Sequence, residues 1–420
     1  MKRILTNKGF TLVEMLVVMA VFVVIIAIAG ESFNSILKYS AKLVKSEESN
    51  IEGIVGLEMM RHDIQQAGFG LFTDASPVAY TAEAANTPES DYNDGTVGPP
   101  RAIVTAQITT AGTVNADDNG TAVALKRIVG TDYLVVKATS IGRNAAAQKW
   151  TYLRFSSPSV KPNVWNSNAE NFANGDKVVL LRRNVTKTDS TSTLVQDTAG
   201  SAAQSYYFAY SDTAFAAFSS ANASMMSAYG VNTSTGSNLR FPYNRADYFI
   251  GESSTNKPKV CSPSTNVGVL YKMLVNHDGG TFSAIPLLDC VADMQIVLGW
   301  DLMNGPVAGT DGIIDTWSNA NGTVAAQYDP SRDMASAAQV QAALLDPALI
   351  RSSLKLIKVY ILAQDGRRDP GYTAPATVVV GDVGESALTK TYDLTGADMR
   401  NYRWKVYRNV TRPKNLVSNQ

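Results

Sequence analysis

From Phe10 to Ala29 the chain is apolar at every position except Thr11 and Glu14. At about 1.5 Å of rise per residue, this run makes a helix about as long as a bilayer's hydrocarbon core is thick. An ionisable residue in such a run costs about 2.5–3.5 kcal/mol near the helix centre and less toward its end. Glu14 therefore demands a partner. From Glu31 to Ala67 apolar residues recur at three- and four-residue spacings, among them Phe33, Ile36, Leu37, Val44, Ile51, Ile54, Val55, Met59 and Ile64. They alternate with Lys38, Lys42, Glu47 and Glu48, which predicts that the helix continues in amphipathic form until Ala67-Gly68-Phe69-Gly70 stops it. Gly53 and Gly56 each cost about 1 kcal/mol relative to alanine inside a helix, so they mark a bend or a close approach.

Beyond Gly70 the pattern changes to strands. Ala102–Thr109, Gly130–Ala138, Trp150–Phe155, Asp176–Leu181, Val269–Val275, Pro286–Trp300, Leu354–Ala363 and Arg403–Val410 carry β-rich or alternating sequences. Two stretches interrupt them, 73–121, rich in Ala, Thr, Gly, Asp, Asn and Pro, and 186–239, rich in Ser, Thr and Ala. The first, punctuated by Pro77, Pro88, Pro99 and Pro100, reads as an irregular, exposed insertion. In the second, Tyr206 to Met226 admits either a short helix or loops.

Composition narrows the picture. A chain of 420 residues with 45% hydrophobic content can bury a sizeable core in one large domain or two to three smaller ones. Its 37 basic and 37 acidic residues predict no nucleic-acid partner. Lys2, Arg3 and Lys8 lie immediately before the apolar run, so the N-terminus is expected in the cytoplasm and the bulk of the chain outside. In an exported chain, the even pair Cys261 and Cys290 suggests a disulfide, the alternative being two buried thiols.

Lys8-Gly9-Phe10-Thr11-Leu12-Val13-Glu14 resembles the prepilin processing motif of type IV pilins and type II secretion pseudopilins. The resemblance implies cleavage between Gly9 and Phe10, N-methylation of the new Phe10 amine, and loss of the three leader charges for a mature net charge of −3. It also implies that Glu14 meets the N-terminal amine of a neighbouring subunit. A secretory signal peptide cut after Ala29 and a plain anchor are the alternatives. The run is longer than the usual signal core of about 7–15 residues, and neither alternative accounts for Glu14.

The segment Met60–Gly70 is similar to the end of the first helix in PilW-like minor pilins, which carries an Asp-Ile pair and a closing Ala-Gly-[Tyr/Phe]. Four later segments resemble strands of that family: GTDYLVVKA, NGDKVVLL, LKLIKVYILA and RWKVYRNV. LLDCVADMQIVLGWD resembles a fifth, with Cys290 standing where the family usually has glycine.

Candidate chemistry is sparse. Asp301, Asn304, Asp311 and Asp315, with Gly305 and Gly312, could supply oxygens to calcium, but no glutamate closes the loop and the spacing is not that of an EF-hand. The competing reading is a turn whose Asp and Asn side chains bond their own backbone. His62 reads as a surface or packing residue and His277 as a turn residue, with no marked nucleophile beside either. No phosphate-binding glycine loop occurs, and neither catalysis nor a cofactor is expected.

The expected fold is α+β: a long N-terminal α-helix, its first half transmembrane, packed on a mostly antiparallel β-sheet head. The expected segments are a leader (1–9), an assembly helix (10–30), the amphipathic second half of that helix (31–68) and a periplasmic head (69–420). The resemblance implies a minor type IV pilin that helps prime assembly and sits at or near the tip. Its partners would be other minor and major pilins, the prepilin peptidase, the inner membrane and the assembly platform. A type II secretion pseudopilin and a tip adhesin are the alternatives.

Overall fold

α1 (Leu12–Gln66) runs for 55 residues, with no proline to break it. The computed structural model describes residues 11–185, 190–197, 205–218, 225–233, 238–253, 257–325, 333–382, 386–396 and 398–417, without the side chains of 35–52, 386 and 417. The expected processing pair, Gly9 and Phe10, lies outside the described residues. The chain divides into two compact units, Met1–Ile51 and Glu52–Gln420. The second contains the last turns of α1 and every strand among the described residues.

In chain order the strands begin with β1 (Ile103–Gln107), β2 (Thr113–Asp118), β3 (Thr121–Arg127) and β4 (Asp132–Ala138). Next come β5 (Trp150–Ser156), β6 (Ser159–Pro162), β7 (Lys177–Val185), β8 (Ser190–Leu194), β9 (Phe208–Ala209) and β10 (Met226–Asn232). β11 (Asn244–Glu252), β12 (Gly268–Val275) and the long β13 (Phe282–Trp300) follow. Then come β14 (Met303–Asn304), β15 (Val307–Ala308), β16 (Thr316–Asn319) and β17 (Leu354–Asp365). β18 (Thr377–Gly381), β19 (Thr389–Asp393) and β20 (Arg403–Thr411) complete the series. Two short helices, α2 (Ala337–Leu345) and α3 (Pro347–Ser353), precede β17, and α4 (Lys414–Val417) follows β20.

Ten strands make one sheet along β1-β4-β11-β3-β2-β13-β17-β20, with β12 joining β11 and β13, and β16 on β13. Its pairings are antiparallel except for a short parallel contact between β2 and β13. The centre is covered on both faces: β4 and β12 are buried at every position, which is why their sequences run apolar instead of alternating. β20, at the edge, is half exposed along most of its length. A second sheet, β6-β5-β10-β7-β8 with β9 on β7, encloses its own core of Leu153, Leu180, Phe208, Phe215 and Met226.

The 73–121 stretch departs from the expectation of an exposed insertion. Residues 73–102 hold little regular structure and Thr113–Asp118 is one of the short strands expected here, yet Tyr80, Glu83, Ala84 and Glu89 are buried. The reason is the paired charge described below. Within 206–226 the chain forms β9 and turns that bury Tyr206, Tyr210 and Phe215; 219–224 lie outside the described residues.

Candidate functional site

The N-terminal unit is built for burial that it does not supply itself. Leu12–Asn34 is an apolar span of 23 residues, and all of its side chains are exposed. At about 1.5 Å per residue it is about 35 Å long, enough to cross a bilayer core. A continuous helix satisfies its own backbone bonds, which is the condition for entering lipid.

At its start, Glu14 is tied to Thr11. The Thr11 N–H and hydroxyl donate to Glu14 Oε2 at 2.9 and 3.0 Å, and the Glu14 N–H donates to Thr11 Oγ1 at 3.3 Å. This reciprocal pairing is a capping box. Its signature, Thr-x-x-Glu ahead of an apolar run, is legible in the sequence but went unread there. It gives the carboxylate local hydrogen bonds at the helix end, where backbone donors are otherwise orphaned.

In the second unit, the last turns of α1 dock on β11, β12 and β13. Met60, Ile64 and Ala67 are fully buried, whereas Ile54, Val55 and Met59, which the spacing of apolar residues placed on the buried face with Ile64, are exposed; of those four expected residues only Ile64 packs on the strands. A Cβ on Gly56 would sit 2.1 Å from the Leu287 carbonyl oxygen, so this glycine marks a close approach. Asp63, 3% exposed, accepts from the Tyr248 hydroxyl and pairs with the Lys272 ammonium. Tyr248 and Lys272 are register partners on β11 and β12, so one carboxylate clamps two strands. Gly68, at φ +86°, ends the helix, and its N–H donates to the Lys137 carbonyl at the end of β4.

A buried ion cluster pins the irregular 80–102 segment to the sheet. Arg245 on β11 forks onto Asp247 through Nε and Nη2, both at 2.7 Å, and reaches Glu83 through Nη1 at 2.9 Å. Lys137 on β4 pairs with Glu83 and Asp94, and Arg101 closes on Asp94 at 2.6 Å. Burial pushes Glu83 upward, but Lys137 and Arg245 outweigh it and hold the carboxyl below its ordinary range. Asp94 is held down in the same way by Lys137 and Arg101. Three carboxylates against three cations, further bonded by Tyr243, Tyr133 and Asn93, explain how a polar segment can lie inside.

Cys261 and Cys290 are joined by a disulfide. Cys290 has φ +56°, a left-handed conformation that favours glycine, in the bulged part of β13. The position thus asks for the glycine that the resembling segment usually carries.

Two of the four residues weighed for calcium, Asp301 and Asp315, spend their carboxylates on backbone N–H groups. Asp301 accepts the Asp311 and Gly312 N–H groups at 2.9 Å each and faces the Lys355 ammonium at 3.3 Å. Asp315 accepts the Leu302 and Met303 N–H groups at 2.8 and 2.9 Å, and Asn304 is exposed on β14. These carboxylates hold the loop across ten to thirteen residues. Among the described residues no cluster of His, Cys, Asp and Glu has the arrangement of a metal site. His62 is beside Asp63, 3.7 Å from its carboxylate, whereas His277 is buried against Phe241 and accepts the Arg240 N–H.

The model of the prokaryotic N-terminal methylation motif matches residues 5–30. No curated protein and no solved structure matches the chain. The match covers the processing segment and the start of α1, and it supports a type IV pilin-like or pseudopilin-like protein that is anchored through its apolar helix.

Proposed function

We propose that the chain is a minor pilin of the PilW-like kind, a structural and non-catalytic subunit that helps prime a type IV pilus and sits at or near its tip. The observation that carries this reading is the methylation motif at 5–30, at the start of an apolar span, Leu12–Asn34, whose side chains are all exposed. The inner membrane would hold that surface before assembly, with the β-body in the periplasm, and neighbouring pilin helices would hold it afterwards. Prepilin peptidase would cut between Gly9 and Phe10. The new amine would then stand one residue from Thr11, beside the capping box, and a neighbouring subunit's amine would be the counter-charge for Glu14. A body as large as 52–420 would burden every repeat of a filament, which favours a subunit used sparingly. A type II secretion pseudopilin shares the same motif and is the second reading.

Mass spectrometry of the N-terminal peptide from a membrane fraction tests the processing. N-methyl-Phe10 is expected, and cleavage after Ala29 would end the filament reading. Deleting the gene and counting pili tests the role: loss of piliation supports priming, and unchanged pili with lost secretion supports the pseudopilin.

A further inference from the structure

The second sheet carries an aromatic ledge beside a cationic cavity. Trp150 is 43% and Tyr152 40% exposed on β5, and Trp165 packs on both at 5.5 and 5.8 Å between ring centres. On β10, Tyr229 is the register partner of Trp150, and Ser227 is the partner of Tyr152. Register partners share a sheet face, so the ledge continues onto Tyr229, which is braced edge-on by Phe69 at 5.2 Å. There a cavity of about 430 Å³ opens, within the size range of small-molecule sites. Tyr229, Ser227, Arg183 and Arg351 line it together with other hydroxyl, proline and apolar groups, and no aspartate or glutamate does. Arg183 donates through Nε to Ser190 at 2.9 Å, and Arg351 has no hydrogen-bond or ion-pair partner among the described residues. Arg154, exposed, follows Tyr152 on the same face of β5.

We infer that this ledge and cavity bind an acidic oligosaccharide. Sugar rings present flat C–H faces that stack on exposed aromatic rings, and their hydroxyls match serine and threonine. A uronic-acid carboxylate accepts two parallel bonds from a guanidinium, which suits the Arg351 and Arg183 end of the cavity. A single-stranded nucleic acid would use rings and cations too, but the chain's balance of 37 basic and 37 acidic residues provides no field to attract a phosphate polymer. The inference goes beyond the filament role and stands or falls separately from it.

Titrating the full chain in detergent micelles with tetragalacturonate, followed by tryptophan fluorescence, tests it. A saturable change is expected. Arg351→Gln, at a half-buried position, and Trp150→Ala, at an exposed one, should each weaken it about tenfold while leaving the near-UV dichroism of the β-body unchanged, apart from the lost indole. Three outcomes would overturn the inference: no saturable change at millimolar ligand, equal binding of neutral cellotetraose, or displacement by a more tightly bound oligodeoxythymidylate.

Discussion

The Gly56 Cα faces the backbone of Leu287 so closely that a methyl group there would lie 2.1 Å from the Leu287 carbonyl oxygen and 2.7 Å from its carbon. At Gly53, three residues earlier, the nearest obstacle is the end of the Leu288 side chain at 2.8 Å, which can rotate away. The two glycines therefore separate helix propensity from packing. Gly53→Ala should change stability by less than about 1 kcal/mol, with propensity gain set against crowding. Gly56→Ala should cost about 3 kcal/mol or more, because a strand backbone has to move. Urea unfolding of both variants checks this; equal effects would mean that α1 does not approach β13 so closely.

Asp63 offers a second handle on the same docking. Its carboxylate is buried with the Lys272 ammonium and the Tyr248 hydroxyl, so Asp63→Asn leaves a buried cation without its counter-charge. A loss of about 3–5 kcal/mol is expected. The double variant Asp63→Leu/Lys272→Met removes both charges and should recover much of that loss. If the double variant is as unstable as Asp63→Asn, the clamp contributes shape and not charge pairing.

The disulfide and the strained backbone at Cys290 can also be separated. Reduction should lower stability by about 3 kcal/mol in the chain-entropy model, given the sequence separation of 29. With Cys261 replaced by alanine to remove the bridge, glycine at 290 should be more stable than alanine at 290 by about 1 kcal/mol, because φ +56° suits glycine. Thermal melts of the two double variants decide it. The reverse order would mean that the strand relaxes once the bridge is gone.

Much of the strand framework was legible because it rests on local pattern. The apolar runs of β4, β13 and β17 announce themselves; the buried stripe of Met60, Ile64 and Ala67 does not, because the equally apolar Ile54, Val55 and Met59 compete with it for the buried face and are exposed. The interior position of residues 80–102 was not legible, because Glu83 meets Lys137 and Arg245 at separations of 54 and 162 residues. No local pattern of charge reveals a partner that distant. α2 and α3 were missed for a different reason. Their signals are caps and not periodicity: Ser336 and Gln339 form a capping box, and Asp346 caps α3 ahead of Pro347. The positive φ of Cys290 was hinted at only by the glycine that the resembling segments have at that position.

Two buried groups set opposing pH slopes. Burial lifts the Asp132 carboxyl to about 8, even though it accepts the Ile296 N–H, so the folded state holds a proton that the unfolded chain releases near pH 4. Its stabilisation is full below about pH 4 and is lost as pH rises toward 8, at up to about 1.4 kcal/mol per unit. Burial, reinforced by Arg240, depresses His277 to about 4, so its contribution is present above about pH 6.5 and is lost as pH falls toward 4. Between about pH 4 and 6.5 these two slopes cancel and the fall due to Glu89, which burial raises to about 7, remains; from about pH 7 Asp132 carries the further fall toward pH 8. Asp132→Asn should flatten the alkaline fall. His277→Gln should expose the Asp132 slope from about pH 4 upward. Urea midpoints measured across this range for the three proteins check both signs, and a fall between about pH 7 and 8 that persists in Asp132→Asn would overturn the assignment to Asp132.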